Sequence, residues 1–219
     1  MPIYSLHNEG LGDHWASISL LARMSISQGK LIMFHSKPQY QKQRHREILN
    51  LMDFCGALVC PSAEPADVGL DGAIVWAAES LPTRKRWEGL VAKPFICLHV
   101  EGESSAADKN PNQEEIDRIC SWALSEGLRV ERLSGQISLP TMVDLLSRCA
   151  LFVGCDSGPS HVAHSVGTPT YLLEYNMPVV TCHRHKAYVR CDGVEHFRAQ
   201  ASAHIHYLRH VYGLPGLPG

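Results

Sequence analysis

The residues able to do chemistry fall in four short stretches. The first is Asn8-Glu9-Gly10-Leu11-Gly12-Asp13-His14, at the opening of a helical pattern. Gly10 and Gly12 let the backbone turn sharply and approach a ligand. Asp13 either caps the helix or faces a cleft as a general base. A dinucleotide fingerprint would need glycine where Trp15 stands, so G-x-G-x-x-G fails. The second stretch, Glu101 to Lys109, carries Gly102, Ser104 and Ser105. Lys109 is a compact donor for phosphate oxygens, and the other reading is a solvated loop. The third is Gly154-Cys155-Asp156-Ser157-Gly158-Pro159-Ser160-His161. Ser157, Gly158 and Pro159 open a helix there. Its free N–H groups from Gly158 to His161 and its partial positive charge suit an anion, typically a phosphate. Asp156 either caps that helix or accepts from a ligand hydroxyl, and His161 lies at the edge, in the first turn. The fourth is Cys182-His183-Arg184-His185, followed by Cys191 and His196. Zinc wants paired ligands at short spacing twice over. This set would have to be forced into that shape, and an exposed polar loop is the plain explanation.

The elements that must position these residues alternate between apolar runs and helical patterns, which points to an α/β architecture. The pattern predicts strands over Ile3 to Leu6, Leu31 to Phe34, Ala57 to Cys60 and Ala73 to Ala77. It places helices over Asp13 to Ser27 and Tyr40 to Phe54, and a loop over Pro61 to Leu70. A basic cluster, Thr83 to Trp87, precedes a boundary near residue 92. The second part reads as strand Phe95 to Val100, helix Gln113 to Glu126 closed by Gly127, and strand Arg129 to Leu133. Helix Thr141 to Cys149 follows, with Pro140 before it. Next come the apolar run Cys149 to Val153, the short helix and strand Thr170 to Leu173. Past Tyr175 the pattern weakens, with a last helix over Ala201 to Tyr212 and an unpatterned tail. Two Rossmann-like halves, 1–92 and 93–219, fit this order. The last helix is a candidate to pack back on the first half.

Composition narrows the partners. A 45% hydrophobic share supports a sizeable core, and a net charge of -2 gives no basic bias toward nucleic acid. The eight cysteines include no C-x-x-C pair and several stand in apolar runs, which fits buried free thiols in a reducing compartment. Met1 to His7 lacks the parts of a signal peptide, and no apolar run approaches the ~20 residues of a membrane helix. The expectation is a soluble cytoplasmic protein.

Together the first three stretches resemble the ADP-heptose:lipopolysaccharide heptosyltransferases, glycosyltransferase family 9, which have the GT-B fold. Asp13 in Gly10-Leu11-Gly12-Asp13 matches the family's proposed base. Lys109 matches a lysine that contacts the donor diphosphate, with Ser104 and Ser105 nearby. Asp156, Ser157, Gly158, Pro159 and His161 match the D-S-G-P-x-H turn in full, and Ala163, Gly167, Thr168 and Pro169 fit its continuation. The acidic residue that usually holds the donor ribose is replaced in its neighbourhood by Gly135-Gln136, and Gln136 can accept the same hydrogen bond without a charge. The first half is shortened relative to family members.

The resemblance implies a GT-B-like pair of small Rossmann-like domains whose parallel sheets face a cleft. It implies an inverting transfer of a sugar from a nucleotide-diphosphate donor to a glycan or other hydroxyl acceptor. Asp13 is then the base, Gly10, Gly12 and His14 stand on the acceptor side, and Lys109, Ser104, Ser105, Gln136 and Asp156 to His161 hold the donor. No D-x-D motif is present, so neither a metal nor a further cofactor is expected. A second copy of the chain would complete a cleft left open by the short first half. A non-catalytic nucleotide-binding module, and a sugar-nucleotide epimerase or hydrolase, are the alternatives.

Overall fold

All strand pairing is parallel among the described residues. The computed structural model describes residues 1–6, 11–35, 47–51, 56–70, 94–101, 110–134, 136–173 and 188–213. The first sheet is built from β1 (Ile3–Ser5), β2 (Ile32–His35), β3 (Val59–Ser62) and β4 (Val68–Gly69), with helix α1 (Leu11–Gln28) after β1. Its order is β3-β2-β1-β4. The second contains β5 (Phe95–His99), β6 (Arg129–Arg132), β7 (Phe152–Gly154), β8 (Thr170–Leu173) and β9 (Tyr188–Cys191). Its order is β6-β5-β7-β8-β9. The helices of this half are α2 (Gln113–Ser125), α3 (Leu139–Arg148), α4 (Gly158–Ser165) and α5 (Gly193–Tyr212).

In each sheet the chain grows one way and then returns to the other side of its first strand. The reversal lies between β1 and β4 in one sheet and between β5 and β7 in the other. Open parallel sheets bind ligands at such points, outside the carboxyl ends of the strands. The Gly12 turn follows β1, the 102–109 stretch follows β5 and the Asp156 turn follows β7, so three of the four chemistry-bearing stretches issue from switch-point strands.

The second sheet is buried on both faces, and its strands sort their side chains by alternation. Phe95 and Cys97 of β5, Phe152 of β7 and Leu172 of β8 enter one apolar cluster. Ile96, Leu98, Val153, Tyr171 and Leu173 enter another. The first cluster is shared between the halves: Trp15, Ile18 and Leu21 of α1 and Phe34 of β2 join Leu146 of α3 and Val162 and Ala163 of α4. α1 therefore covers its own sheet and packs on the second half as well.

Several expectations shift. The stretch read as loop from Pro61 to Leu70 contains the end of β3 and all of β4. β4 is two exposed residues, too short for any alternation, and a backbone bond from Asp67 N–H to Ile3 O (2.8 Å) leads it into place beside β1. α3 starts two residues early, with Ser138 as its cap and Pro140 inside the first turn, where a missing N–H costs nothing. β9 and the first two turns of α5 escape the sequence pattern because Glu195, His196, Arg198 and Gln200 make that stretch polar. The buried Val194 and Phe197 are too few there to set a period. Among the described residues α5 buries its apolar face in the second half: Phe197 meets Trp122 and Tyr171 edge-on, and Trp122 Nε1–H donates to Ser202 Oγ (2.8 Å). Of the helix expected over 40–54, residues 47–51 are described and helical, with Ile48 buried. The strand at 73–77, the basic cluster at 83–87 and the tail at 214–219 lie outside the described residues.

Burial pushes the Tyr171 phenol up to about 12, with the neighbouring Cys191 thiol adding to the shift. An unfolded tyrosine ionises near 10, so keeping this phenol neutral stabilises the fold fully below pH 10, and that contribution is lost between about pH 10 and 12. Chemical denaturation at pH 9 and at pH 11 should show a steeper loss of stability in the wild type than in Tyr171→Phe.

Candidate functional site

The site forms where the first turns of α1 and α4 meet. β7 reaches it through Gly154, paired with His99 of β5. A Cβ on Gly154 would lie 2.3 Å from His99 O, so only glycine permits this pairing. Cys155 is buried, and the chain then turns through Asp156 and Ser157. Ser157 is extended (φ -160°, ψ 172°), and its hydroxyl donates back to Cys155 O (3.3 Å). The fully buried Ser160 hydroxyl accepts from Ser157 N–H (3.2 Å) and donates to Ser157 O (2.7 Å). Ser160 thus locks the turn from inside. The N–H groups of Ser160 and His161 also run back to Ser157 O (3.0 and 3.5 Å). Pro159 has no N–H, so the helix end acts on an anion mainly through Gly158 and the helix dipole.

Two glycine notches join α4 to α1. A Cβ on Gly12 would lie 2.2 Å from His161 Cδ2 and 2.8 Å from Nε2, so the imidazole occupies the space a side chain would take. A Cβ on Gly158 would lie 2.9 Å from Leu11 Cδ2. Further along, Trp15 Nε1–H donates to the buried Ser165 hydroxyl (2.5 Å). His161 Nε2 stands 3.7 Å from Asp156 Oδ1. Gly12, His161 and Asp156 therefore form one cluster, and Asp13 is next to it in the chain.

Asp13 does not cap α1. The helix starts at Leu11, which puts Asp13 in the first turn, half-buried, at the positive end of the dipole. His14, expected on the acceptor side, is buried in the first turn of α1. Gln136 is exposed in the turn that follows β6, the strand beside β5. Gly10, Ser104, Ser105 and Lys109 lie outside the described residues, as do Cys182, His183, Arg184 and His185. Cys191 is buried in β9, and His196 Nδ1 accepts from Asp192 N–H (3.2 Å). Among the described residues no group of three or more His, Cys, Asp or Glu could hold a metal. None of the described helices is long and apolar enough to cross a membrane.

Sequence reasoning missed His99. It reads as the polar end of a buried strand, and its only signal is its place before a glycine- and serine-bearing stretch.

Comparison with known proteins bears on the same segments. The model of glycosyltransferase family 9 (heptosyltransferase) matches residues 105–173. Lipopolysaccharide heptosyltransferase 3 of Escherichia coli is 29% identical over 93 residues, which are 41% of this chain and 27% of that protein. The chain thus matches little more than a quarter of that relative's length. Among solved structures, E. coli ADP-heptose lps heptosyltransferase II superposes with a TM-score of 0.69 at 14% identity, over 94% of this chain and 99% of that one. The iron-containing dodecameric glycosyltransferase TibC from enterotoxigenic E. coli gives 0.59 at 15% identity, over 96% and 77%. At such identities the likeness is one of fold, and the fold is GT-B-like: two parallel α/β sheets whose switch points meet.

Proposed function

We propose, on the premise that residues 105–173 carry the glycosyltransferase family 9 pattern, that this chain is an inverting, metal-independent glycosyltransferase using a nucleotide-diphosphate sugar. The observation that carries the reading is the meeting of Gly12 and His161, which brings the first turn of α1 and the Asp156 turn to one point. In this reading the donor diphosphate lies over the first turn of α4. Lys109, with Ser104 and Ser105, and the positive end of α4 meet its charge as it leaves. Asp13 takes the proton from an acceptor hydroxyl while that oxygen attacks the anomeric carbon. The bond from that carbon to the diphosphate oxygen breaks, and its electron pair leaves with the phosphate. A single displacement from the opposite face inverts the configuration. Lysine and helix dipole do the work a metal would do elsewhere, in keeping with the missing D-x-D. ADP-heptose, which the name of one structural relative carries, is the first donor to try. The acceptor is a glycan or another hydroxyl compound.

A thermal-shift screen of ADP, GDP, UDP, CDP and ADP-heptose tests the donor site. A true donor or its nucleotide, present at ~100 times its dissociation constant, adds roughly 2.7 kcal/mol of stability. Absence of stabilisation by every compound in the screen overturns the reading. Binding without sugar transfer to any of a broad acceptor panel replaces it with a non-transferring nucleotide-binding module.

A further inference from the structure

Two contacts meet on His99, the last residue of β5 at the switch point of the second sheet. Its ring is buried, and Nδ1 lies 3.1 Å from the carbonyl oxygen of Leu133, the first residue after β6. A carbonyl only accepts, so Nδ1 carries the proton and donates, which selects one tautomer of the neutral ring. The carbonyl of His99 stands against Gly154 at the end of β7, closely enough to forbid a Cβ there. Its chain runs on through Val100 and Glu101 toward the 102–109 stretch. One residue therefore ties the ends of β5, β6 and β7, and these lead to Lys109, Gln136 and the Asp156 turn respectively.

Core packing alone does not ask for this side chain. A buried imidazole loses its hydration and regains it only through specific hydrogen bonds, whereas an apolar side chain at the end of β5 would fill the space without that cost. The bond it makes does not belong to the strand ladder. It crosses to the turn after the neighbouring strand. The first sheet repeats the joint in exposed form: His35 ends β2, and its Nδ1–H donates to Glu64 O (2.6 Å), just past β3.

We propose that His99 is a positioning residue of the nucleotide site. By donating to Leu133 O it holds the turn carrying Ser134 and Gln136 at a fixed distance from the end of β5 and the turn after β7. The nucleoside end and the diphosphate end of one ligand are then reached together. The inference rests on the donor site proposed above for its ligand, but its geometric half stands without one.

The test uses the full chain with His99→Leu and His99→Asn. Leucine fills the space and cannot donate. Asparagine offers an N–H at about the reach of Nδ1. Amide hydrogen exchange of the ligand-free proteins is followed in peptides covering Leu133 to Ser138, with α5 peptides reporting the global fold, and ADP affinity is measured by calorimetry. Loss of one such bond predicts ~10-fold faster exchange after β6 and ~10-fold weaker ADP binding in His99→Leu, with α5 protection unchanged and His99→Asn close to wild type. Equal exchange after β6 in wild type and His99→Leu overturns the proposal, and so does equal ADP affinity where the wild type binds. If the wild type binds no nucleotide, the donor reading fails and the exchange arm alone decides on His99. If His99→Leu loses α5 protection, His99→Asn is compared with His99→Gln, whose donor sits where Nε2 does. The proposal then requires Asn to keep the turn protected and Gln to loosen it, and equal behaviour of the two overturns it.

Discussion

Asp13→Ala is expected to bind the donor nucleotide as the wild type does and to transfer almost no sugar. A general base contributes about 10²- to 10⁴-fold to a rate, so kcat should fall by that range, with the nucleotide dissociation constant within about twofold of wild type. The split follows from where the residue stands. Asp13 is in the first turn of α1, beside the Gly12 notch, while the proposed donor elements are the Asp156 turn and the stretch after β5. Removing a carboxylate from the positive end of α1 costs about 0.3–1 kcal/mol, so the fold survives and the kinetic effect can be read. Asp13→Asn keeps the shape and removes the proton acceptor, and it should be equally slow. Wild-type transfer by either variant would remove Asp13 from the mechanism. Lost nucleotide binding with normal kcat at saturation would move it to the donor side.

Gly154→Ala should damage the fold far more than a single methyl group usually does. The added Cβ would stand 2.3 Å from His99 O, a backbone atom in the middle of a five-stranded sheet. Neither β5 nor β7 can move aside, because each is paired on both edges. Overpacking typically costs about 1–3 kcal/mol when side chains can give way, and here the clash is backbone against backbone, so a loss above about 3 kcal/mol is expected. Gly12→Ala is the control. Its Cβ would be still closer to an atom, 2.2 Å, but that atom is Cδ2 of the His161 ring, which can swing away. Denaturation curves should therefore show Gly154→Ala largely unfolded under conditions in which Gly12→Ala is folded. The latter should instead lose sugar transfer as the joint between α1 and α4 opens. A Gly154→Ala protein as stable as wild type would contradict the pairing of β5 with β7.

How far the sequence reaches can be judged from particular elements. Thr170 to Leu173 is read to the residue because four consecutive apolar or β-branched side chains form a strand buried on both faces. α2 is read within one residue, since Asn112 and Glu115 form a reciprocal capping box and Gly127 takes the left-handed conformation (φ 67°) just past its end. β4 and β9 are not legible. One is two exposed residues, and the other, Tyr188-Val189-Arg190-Cys191, carries a charge inside a four-residue run. In the site, the types and order of Gly12, Asp13 and the Asp156-to-His161 turn are plain from the sequence. The burial of His14 and the bond from His99 to Leu133 are not.

What the sequence determined by itself was local: where apolar runs and caps start and stop the elements, and which turns carry carboxylates, glycines and a lysine. These depend on neighbours within a few positions, and their periods of two and 3.6 are visible in one dimension. Only the tertiary structure decided how the first turn of α1 packs against the Asp156 turn. That decision rests on contacts such as Trp15 to Ser165, 150 positions apart, and on an apolar cluster to which both halves contribute. A contact of that kind leaves no period in the chain. It arises because α1 has apolar surface on both sides, and burying the second side brings Gly12 against His161.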